Sequence, residues 1–96
     1  MAMKGLRKVK VIRKPTTAGT AVEFKFDVSG SRFLIKNLTD STITCTILGS
    51  EIVLPANTSQ MLATRMVPTM SDMTDTITVT AEETNAMGVE IQCLDY

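Results

Sequence analysis

Apolar and polar side chains that alternate at every second position are the dominant feature of this 96-residue chain. In residues 42–47, Ile43, Cys45 and Ile47 alternate with threonines. Because successive side chains of an extended strand point to opposite faces, each such run predicts a strand with one buried face and one solvated face. Similar alternation recurs in residues 20–28, 32–38, 75–81 and 89–94. A chain with this pattern must bury several strands against one another.

Short segments rich in turn-forming residues separate these runs. Examples are Ser29-Gly30-Ser31, Gly49-Ser50 and Pro55-Ala56-Asn57. Strands at intervals of about 8–12 residues, with no amphipathic helix between them, are typical of all-β sandwiches. We therefore predict an all-β antiparallel β-sandwich of about seven or eight strands, jelly-roll-like or immunoglobulin-like. The chain has no Trp, so it departs from the Cys–Trp–Cys core of antibody domains.

The first 19 residues differ from the rest. Residues 1–14 alternate imperfectly, and neither of their faces is apolar, which predicts a basic arm or an edge strand. The basic side chains of this segment, which are the candidate partner-binding residues, are Lys4, Arg7, Lys8, Lys10, Arg13 and Lys14. Residues 14–19 are expected to form a turn or linker, because Pro15 cannot donate a ladder hydrogen bond. We divide the chain into an arm or edge strand with its linker (1–19) and a β-sandwich domain (20–96).

Within the sandwich, the local order of strands suggests one specific pairing. The runs 20–28 and 32–38 are separated only by Ser29-Gly30-Ser31, so we expect them to form a hairpin. Residues 82–88 are expected to be a polar connection before the last strand.

Charge is unevenly distributed although the net charge is zero. Residues 1–36 carry nine basic and two acidic side chains, whereas residues 37–96 carry one basic and eight acidic side chains. One interpretation is that folding interleaves early and late strands and so mixes the two halves. The other is that the basic arm docks on an acidic neighbour.

The residue types needed for catalysis are scarce. The chain has no His, the commonest general base and metal ligand. Glu82-Glu83 is the only adjacent pair of carboxylates, and its polar surroundings predict a solvated turn. Cys45 and Cys93 lie in strand-like runs and are expected to be buried, reduced thiols. We predict no enzyme, no cofactor and no metal site.

Two segments are candidates for contacts with partners. The basic arm lacks interleaved aromatic residues for base stacking, so nucleic acid is not an expected partner. No run approaches the roughly 18 apolar residues of a membrane span. Residues 66–74 keep no period and hold Met66, Met70 and Met73. They either cover one end of the core or present a pliable apolar patch to a partner.

Three stretches carry a resemblance to a known group of proteins. They are Phe33-Leu34-Ile35-Lys36-Asn37-Leu38-Thr39-Asp40, residues 52–60, and Gly88-Val89-Glu90-Ile91-Gln92. With them the chain resembles the small β-sandwich structural proteins of tailed bacteriophage heads, which act as capsid decoration or head-fibre-base proteins. The resemblance implies a role without catalysis, as a trimer or other oligomer on the capsid lattice.

The resemblance implies a virion structural protein, made in the host cytoplasm. Its expected partners are the major capsid protein or another virion protein, and further copies of itself, with the arm adding to a neighbouring subunit. A head–tail connector or tail component is an alternative. A stand-alone carbohydrate- or protein-binding module is another, although few aromatic residues are present to stack on a sugar ring.

Overall fold

The computed structural model describes residues 9–64 and 73–96, which form eight strands. These are β1 (Lys10–Thr16), β2 (Ala21–Gly30), β3 (Arg32–Asn37), β4 (Ile43–Ile47), β5 (Ser50–Leu54), β6 (Ser59–Ala63), β7 (Thr74–Ala81) and β8 (Asn85–Asp95). They make two four-stranded sheets. We call the sheet with the order β1-β8-β3-β6 sheet A and the sheet with the order β2-β7-β4-β5 sheet B.

The strand order is that of a jelly roll. The first strand pairs with the last, the second with the seventh, the third with the sixth and the fourth with the fifth, all antiparallel. The chain is therefore one long hairpin that folds back at the β4–β5 turn. Its two antiparallel halves cross together from one sheet to the other, so that successive strand pairs alternate between sheet A and sheet B. β3 also pairs with β8, which completes sheet A, and β4 also pairs with β7, which completes sheet B. This confirms the predicted all-β sandwich. Of the two predicted forms, jelly-roll-like and immunoglobulin-like, the number and order of the strands match the jelly roll.

The core lies between the two sheets and consists mainly of apolar residues from the alternating runs, joined by Leu54 of β5 and Leu62 of β6. Phe26 of sheet B and Phe33 of sheet A meet across it, with ring centroids 5.8 Å apart. The buried apolar side chains are Phe24, Phe26, Phe33, Ile35, Ile43, Cys45, Ile47, Leu54, Leu62, Ile77, Val79, Ala81, Val89, Ile91 and Cys93. Since each strand presents only one face to this core, the opposite face of each sheet is left for solvent or for a partner.

The predicted hairpin of residues 20–28 with 32–38 is wrong. β2 pairs with β7 in sheet B, whereas β3 pairs with β6 and β8 in sheet A. Gly30 lies where the chain crosses, and a Cβ there would overlap the Sγ of Cys93. Glycine thus allows the chain to pass close to β8. A short turn between two half-buried strands can cross to the opposite sheet as readily as it can close a hairpin.

The predicted linker at residues 14–19 is shorter than expected, because β1 continues through Pro15 to Thr16. The pairing of β1 with β8 is irregular between Lys14 and Thr16, which accommodates the missing proline N–H. The predicted boundary at residue 19 falls in the turn that follows, where Thr20 N donates to Thr17 O at 3.0 Å. At the other end of the chain, β8 begins at Asn85 and takes up part of the connection predicted over 82–88.

Hydrogen bonds between loops fix one end of the sandwich. The Glu83 carboxylate accepts bonds from Asn85 Nδ2 at 2.7 Å, Ser41 Oγ at 2.7 Å and the backbone N–H of Asp40 at 3.0 Å. These bonds, that from Asn85 foremost, lower the pKa of Glu83. Glu82 is exposed. The expectation of a solvated turn therefore holds for Glu82, whereas Glu83 joins the β3–β4 loop to the start of β8.

Candidate functional site

The outer face of sheet A has the features of a protein-contact surface. Residues directly opposite each other on neighbouring strands share a face, so the strand register arranges its side chains in rows. One row crosses all four strands as Val11, Gln92, Leu34 and Met61, and we call it the apolar row. The next row, two residues along each strand, is Arg13, Glu90, Lys36 and Ser59, and we call it the charged row.

The apolar row exposes large side chains at both edges of the sheet. Val11 on β1 is 52% exposed and Met61 on β6 is 49% exposed. Leu34, between them on β3, is half-buried although it lies on the outer face. Val9, just before β1, is 46% exposed. Apolar side chains grouped on one face of a small domain make that face a candidate for contact with another protein.

The charged row is held together by one carboxylate. Arg13 donates from Nε and Nη2 to Glu90 Oε1 at 3.2 and 2.6 Å, and Gln92 Nε2 donates to Glu90 Oε2 at 2.7 Å. Lys36 Nζ lies 3.5 Å from Glu90 Oε2. The hydrogen bonds from Gln92 and Arg13 lower the pKa of Glu90 to about 2. The carboxylate is therefore ionised at neutral pH, and the row of two cations and one anion carries an excess positive charge.

A third row completes the face beyond the apolar row. Arg32 of β3 lies opposite Asp95 of β8 on one side and Ala63 of β6 on the other. Leu94 precedes Asp95 and is half-buried. The pairing is irregular there, with a register shift between Arg32 and Phe33, so the sheet A face has a more apolar centre with the charged row on one side and Arg32 on the other. Such a centre with a polar rim is the usual composition of a protein interface.

The outer face of sheet B differs from it. Its centre is an array of half-buried threonines on β4 and β7, in which Thr44 lies opposite Thr80 and Thr46 opposite Thr78. Val53 of β5 is 59% exposed and has charged Glu51 two residues before it. Branched hydroxyl side chains suit a pleated, solvated surface. Val11 and Met61 are thus aligned in one row on sheet A, whereas Val53 lies beside a charged residue on sheet B.

The structure places three of the six predicted arm residues in β1, where each contacts groups of its own chain. Arg13 pairs with Glu90 as described, and Lys10 Nζ lies 3.4 Å from Asp27 Oδ2. Lys14 Nζ donates to the backbone carbonyl of Glu23 at 2.8 Å. Lys10 and Lys14 thus reach from β1 to β2 across the side of the sandwich. Lys4, Arg7 and Lys8 lie outside the described residues, so their partner-binding role stays a prediction.

A shallow groove of about 310 Å³ follows the same side of the sandwich. It is lined by residues 10–12 of β1 and 25–27 of β2, two strands at sheet edges. Both cationic and anionic side chains line it, and Lys10 pairs with Asp27 there. Lys25, the other cation of the lining, pairs with Asp75, so both lysines of the groove are already engaged by carboxylates of the same chain.

Of the three predicted methionines in the loop, only Met73 is described, and it is 45% exposed. Met66 and Met70 lie outside the described residues.

Ion pairs bear on the two interpretations of the uneven charge. Three of the four ion pairs found in the described residues join the first 36 residues to the remainder, namely Arg13 and Lys36 with Glu90, and Lys25 with Asp75. Within residues 9–64 and 73–96, interleaving of strands thus mixes the charges of the two halves.

Both cysteines are buried, free thiols, as predicted. Burial raises the pKa of Cys45 to about 12, so this thiol stays protonated. In the described part of the chain, no three Cys, Asp or Glu side chains are grouped in a way that could hold a metal ion. That part also contains no helix long and apolar enough to span a membrane.

Of the sheet A face, sequence reasoning singled out Arg13, as one of the basic arm residues, and missed the apolar row. The available signal was apolar residues at positions that alternation assigns to solvent, such as Leu34, Val11 and Leu94. Comparison with known proteins adds nothing to the site: the chain matches no protein-family model, and no curated protein or solved structure is detectably similar to it.

Proposed function

We propose that the chain is a non-enzymatic structural protein of a bacteriophage particle, made in the host cytoplasm, that decorates or reinforces the capsid. The sheet A face supplies its main contact with neighbouring proteins, and the basic residues near the N-terminus, among them Lys4, Arg7 and Lys8, add charge contacts. Its partners are the major capsid protein or another virion protein, and further copies of itself. A position at the head–tail junction or in the tail would use the same contacts.

The observation that carries the proposal is the apolar row crossing all four strands of sheet A. Val11 and Met61, at its two ends, are each about half exposed, and contact with another protein would bury them. Jelly rolls serve as viral capsid domains and as lectin domains, and the fold alone does not choose between them. The aromatic residues argue against a lectin, because Phe24, Phe26 and Phe33 are all buried and only Tyr96 is left to stack on a sugar.

The proposal is tested on particles of the phage whose genome encodes the chain. Particles purified on a density gradient are digested, and the chain is quantified by mass spectrometry against the major capsid protein. We expect a fixed copy number per particle that survives washing in high salt, since apolar contacts are not screened by ions. Absence of the chain from purified particles contradicts the proposal.

Particles grown without the gene provide the matched control. For a reinforcing protein, we expect them to release DNA at a lower temperature than wild-type particles. Adding the purified chain to these particles should restore the release temperature, whereas a Val11→Asp variant of the chain should restore it poorly. If the variant restores the release temperature as well as the wild-type chain does, the sheet A face is not the contact surface.

A further inference from the structure

One edge of the sandwich is open to strand pairing, and we propose that it pairs with the same edge of a second copy of this chain. The edge is β6 (Ser59–Ala63), the last strand of sheet A, which pairs only with β3 among the described strands. The two β6 strands run antiparallel and join two four-stranded A sheets into one sheet of eight strands. The inference rests on the proposed function and deepens it by assigning the edge through which copies associate.

The backbone of β6 leaves a regular set of hydrogen-bonding groups on this edge. At one end of the β3–β6 ladder, Asn37 N donates to Thr58 O at 2.8 Å, and the register continues from there without a shift. In an antiparallel ladder, every second residue bonds to the neighbouring strand, and the backbone groups of the residues between them point away from it. Counted from Thr58, the N–H and C=O groups that point away from β3 are those of Ser59, Met61 and Ala63.

The other three sheet edges carry features that discourage strand pairing. β1 contains Pro15, which has no N–H to donate, and three basic side chains. The edge of β2 is partly covered by β1, since Lys14 Nζ donates to the backbone carbonyl of Glu23 at 2.8 Å. β5 carries the charged Glu51 and is followed directly by Pro55. β6 has neither a charged residue nor a proline, so pairing is least opposed there.

The edge of β6 is complementary to itself about Met61. In the register centred there, Met61 lies opposite Met61 of the second copy, and Ser59 lies opposite Ala63. Each of these pairs exchanges two backbone hydrogen bonds, so all the outward groups of both strands are satisfied. A shift of the register in either direction leaves one of the three residues beyond the end of the other strand. No charged side chains are opposed, and the two Met61 side chains, each 49% exposed, cover one another.

Pairing of the edges also enlarges the sheet A face. The two-fold axis is perpendicular to the sheet, so the outer faces of both copies lie on the same side. The apolar row then continues from Leu34 through both Met61 side chains to Leu34 of the second copy. Four strands spaced by about 4.8 Å and five residues of about 3.3 Å cover roughly 19 by 17 Å, well below the roughly 800 Å² that a stable interface buries on each partner. Eight strands bring the face closer to that size.

The pairing itself is expected to be weak in dilute solution. A five-residue strand buries little surface, and Met61 is the large apolar side chain that β6 exposes. Copies held side by side on a particle meet at a high effective concentration, at which a weak contact is occupied. A test on the purified chain must therefore trap the pair.

A cysteine at the proposed two-fold axis provides the trap. Met61→Cys places one thiol from each copy at a hydrogen-bonded antiparallel pair, where Cα atoms about 5.5 Å apart suit a disulfide. Oxidation with diamide should therefore give a covalent dimer on a non-reducing gel. Val11→Cys replaces a similarly exposed residue at the opposite edge of sheet A. It is the matched control and should cross-link at least tenfold more slowly. The native Cys45 and Cys93 are buried and should not compete.

A mixture of two variants tests the register. Ser59 of one copy faces Ala63 of the other, whereas the two Ser59 residues are separated by about 13 Å along the strands. After oxidation, an equimolar mixture of Ser59→Cys and Ala63→Cys should contain at least ten times more mixed dimer than either homodimer. Mass spectrometry of the intact dimers distinguishes them, and circular dichroism confirms that each variant is folded. Met61→Cys that cross-links no faster than Val11→Cys, or a mixture without an excess of mixed dimer, would overturn the inference.

These outcomes are separate from those that bear on the proposed function. Failure to cross-link, in a chain that is nevertheless present in particles, overturns the paired edge and leaves the structural role standing. Cross-linking as expected, in a chain absent from particles, supports the paired edge and contradicts the role.

Discussion

Arg13 on β1 donates two hydrogen bonds to a single carboxylate oxygen of Glu90 on β8, at 3.2 and 2.6 Å. The other oxygen of Glu90 accepts a bond from Gln92 and lies 3.5 Å from Lys36 Nζ on β3. Glu90 is only 6% exposed although it belongs to the outer face of its sheet. One carboxylate thus connects the edge strand β1 to both central strands of sheet A.

Replacing this carboxylate should destabilise the fold. Glu90→Gln keeps the shape of the side chain but leaves Arg13 and Lys36 without their anion. Since bonds to a charged acceptor are stronger than neutral ones, we expect the free energy of unfolding to fall by about 1–3 kcal/mol. Urea denaturation measures the change. Glu82→Gln, at an exposed position, is the matched control and should change stability by less than about 0.5 kcal/mol.

The same group predicts how stability depends on pH. The pKa of Glu90 is lowered from 4.5 to about 2 in the folded chain. A depressed pKa contributes stability that is fully present above the unfolded value and is lost as pH falls through the folded value. We therefore expect the free energy of unfolding to decrease between about pH 5 and pH 2, and to decrease less steeply in Glu90→Gln. Equal slopes for wild type and variant would show that other carboxylates account for the loss.

Two glycines with similar backbone angles should respond differently to substitution. Gly88 has φ of +63°, and a Cβ there would overlap the backbone carbonyl oxygen of Lys14 on β1. Gly19 has φ of +74°, but no atom lies within 4 Å of an added Cβ. Gly19→Ala should cost about 1–2 kcal/mol, the strain of a left-handed backbone alone. Gly88→Ala should cost about 3 kcal/mol or more, because overlap with the neighbouring strand is added. Thermal unfolding of the two variants decides whether β1 passes as close to β8 as described.

Asn37 is a buried polar residue that holds two loops together. It is 1% exposed, and its Nδ2 donates to the backbone carbonyls of Ser41 at 2.8 Å and Pro55 at 3.0 Å. Asn37→Ala leaves these carbonyls with fewer donors, and we expect a loss of about 2 kcal/mol. Gln60→Ala, at an exposed position on β6, should be nearly neutral. Amide hydrogen exchange should show that the faster exchange in Asn37→Ala is confined to the loops that follow β3 and β5.

Alternation in the sequence predicted an all-β sandwich of seven or eight strands and the buried side of its most regular strands, such as β4. Ile43, Cys45 and Ile47 are all fully buried, as their spacing requires. Alternation carries no information on which strands pair, and for that reason the hairpin of β2 with β3 was predicted wrongly. In a jelly roll, strand pairing depends on how the whole chain folds back on itself. The first strand, β1, therefore pairs with the last, β8, near the opposite end of the sequence.

The candidate site was harder to predict for the same reason. The burial of Glu90 depends on Arg13, 77 residues away, and on Lys36 of a third strand. The apolar row exists only because the register aligns Val11, Leu34 and Met61 across four strands. Each of these residues is unremarkable alone. Local patterns identify a strand face, whereas a surface that spans several strands requires their register.

The measurement that most directly tests the central claim is an electron cryomicroscopy map of purified particles at a resolution that separates strands. The account predicts density for an eight-stranded sandwich whose sheet A face, with Val11, Leu34 and Met61, is covered by protein, while the threonine face of sheet B is open to solvent. A map in which the sandwich is present with the sheet A face open to solvent, or in which no such sandwich is found, would contradict it.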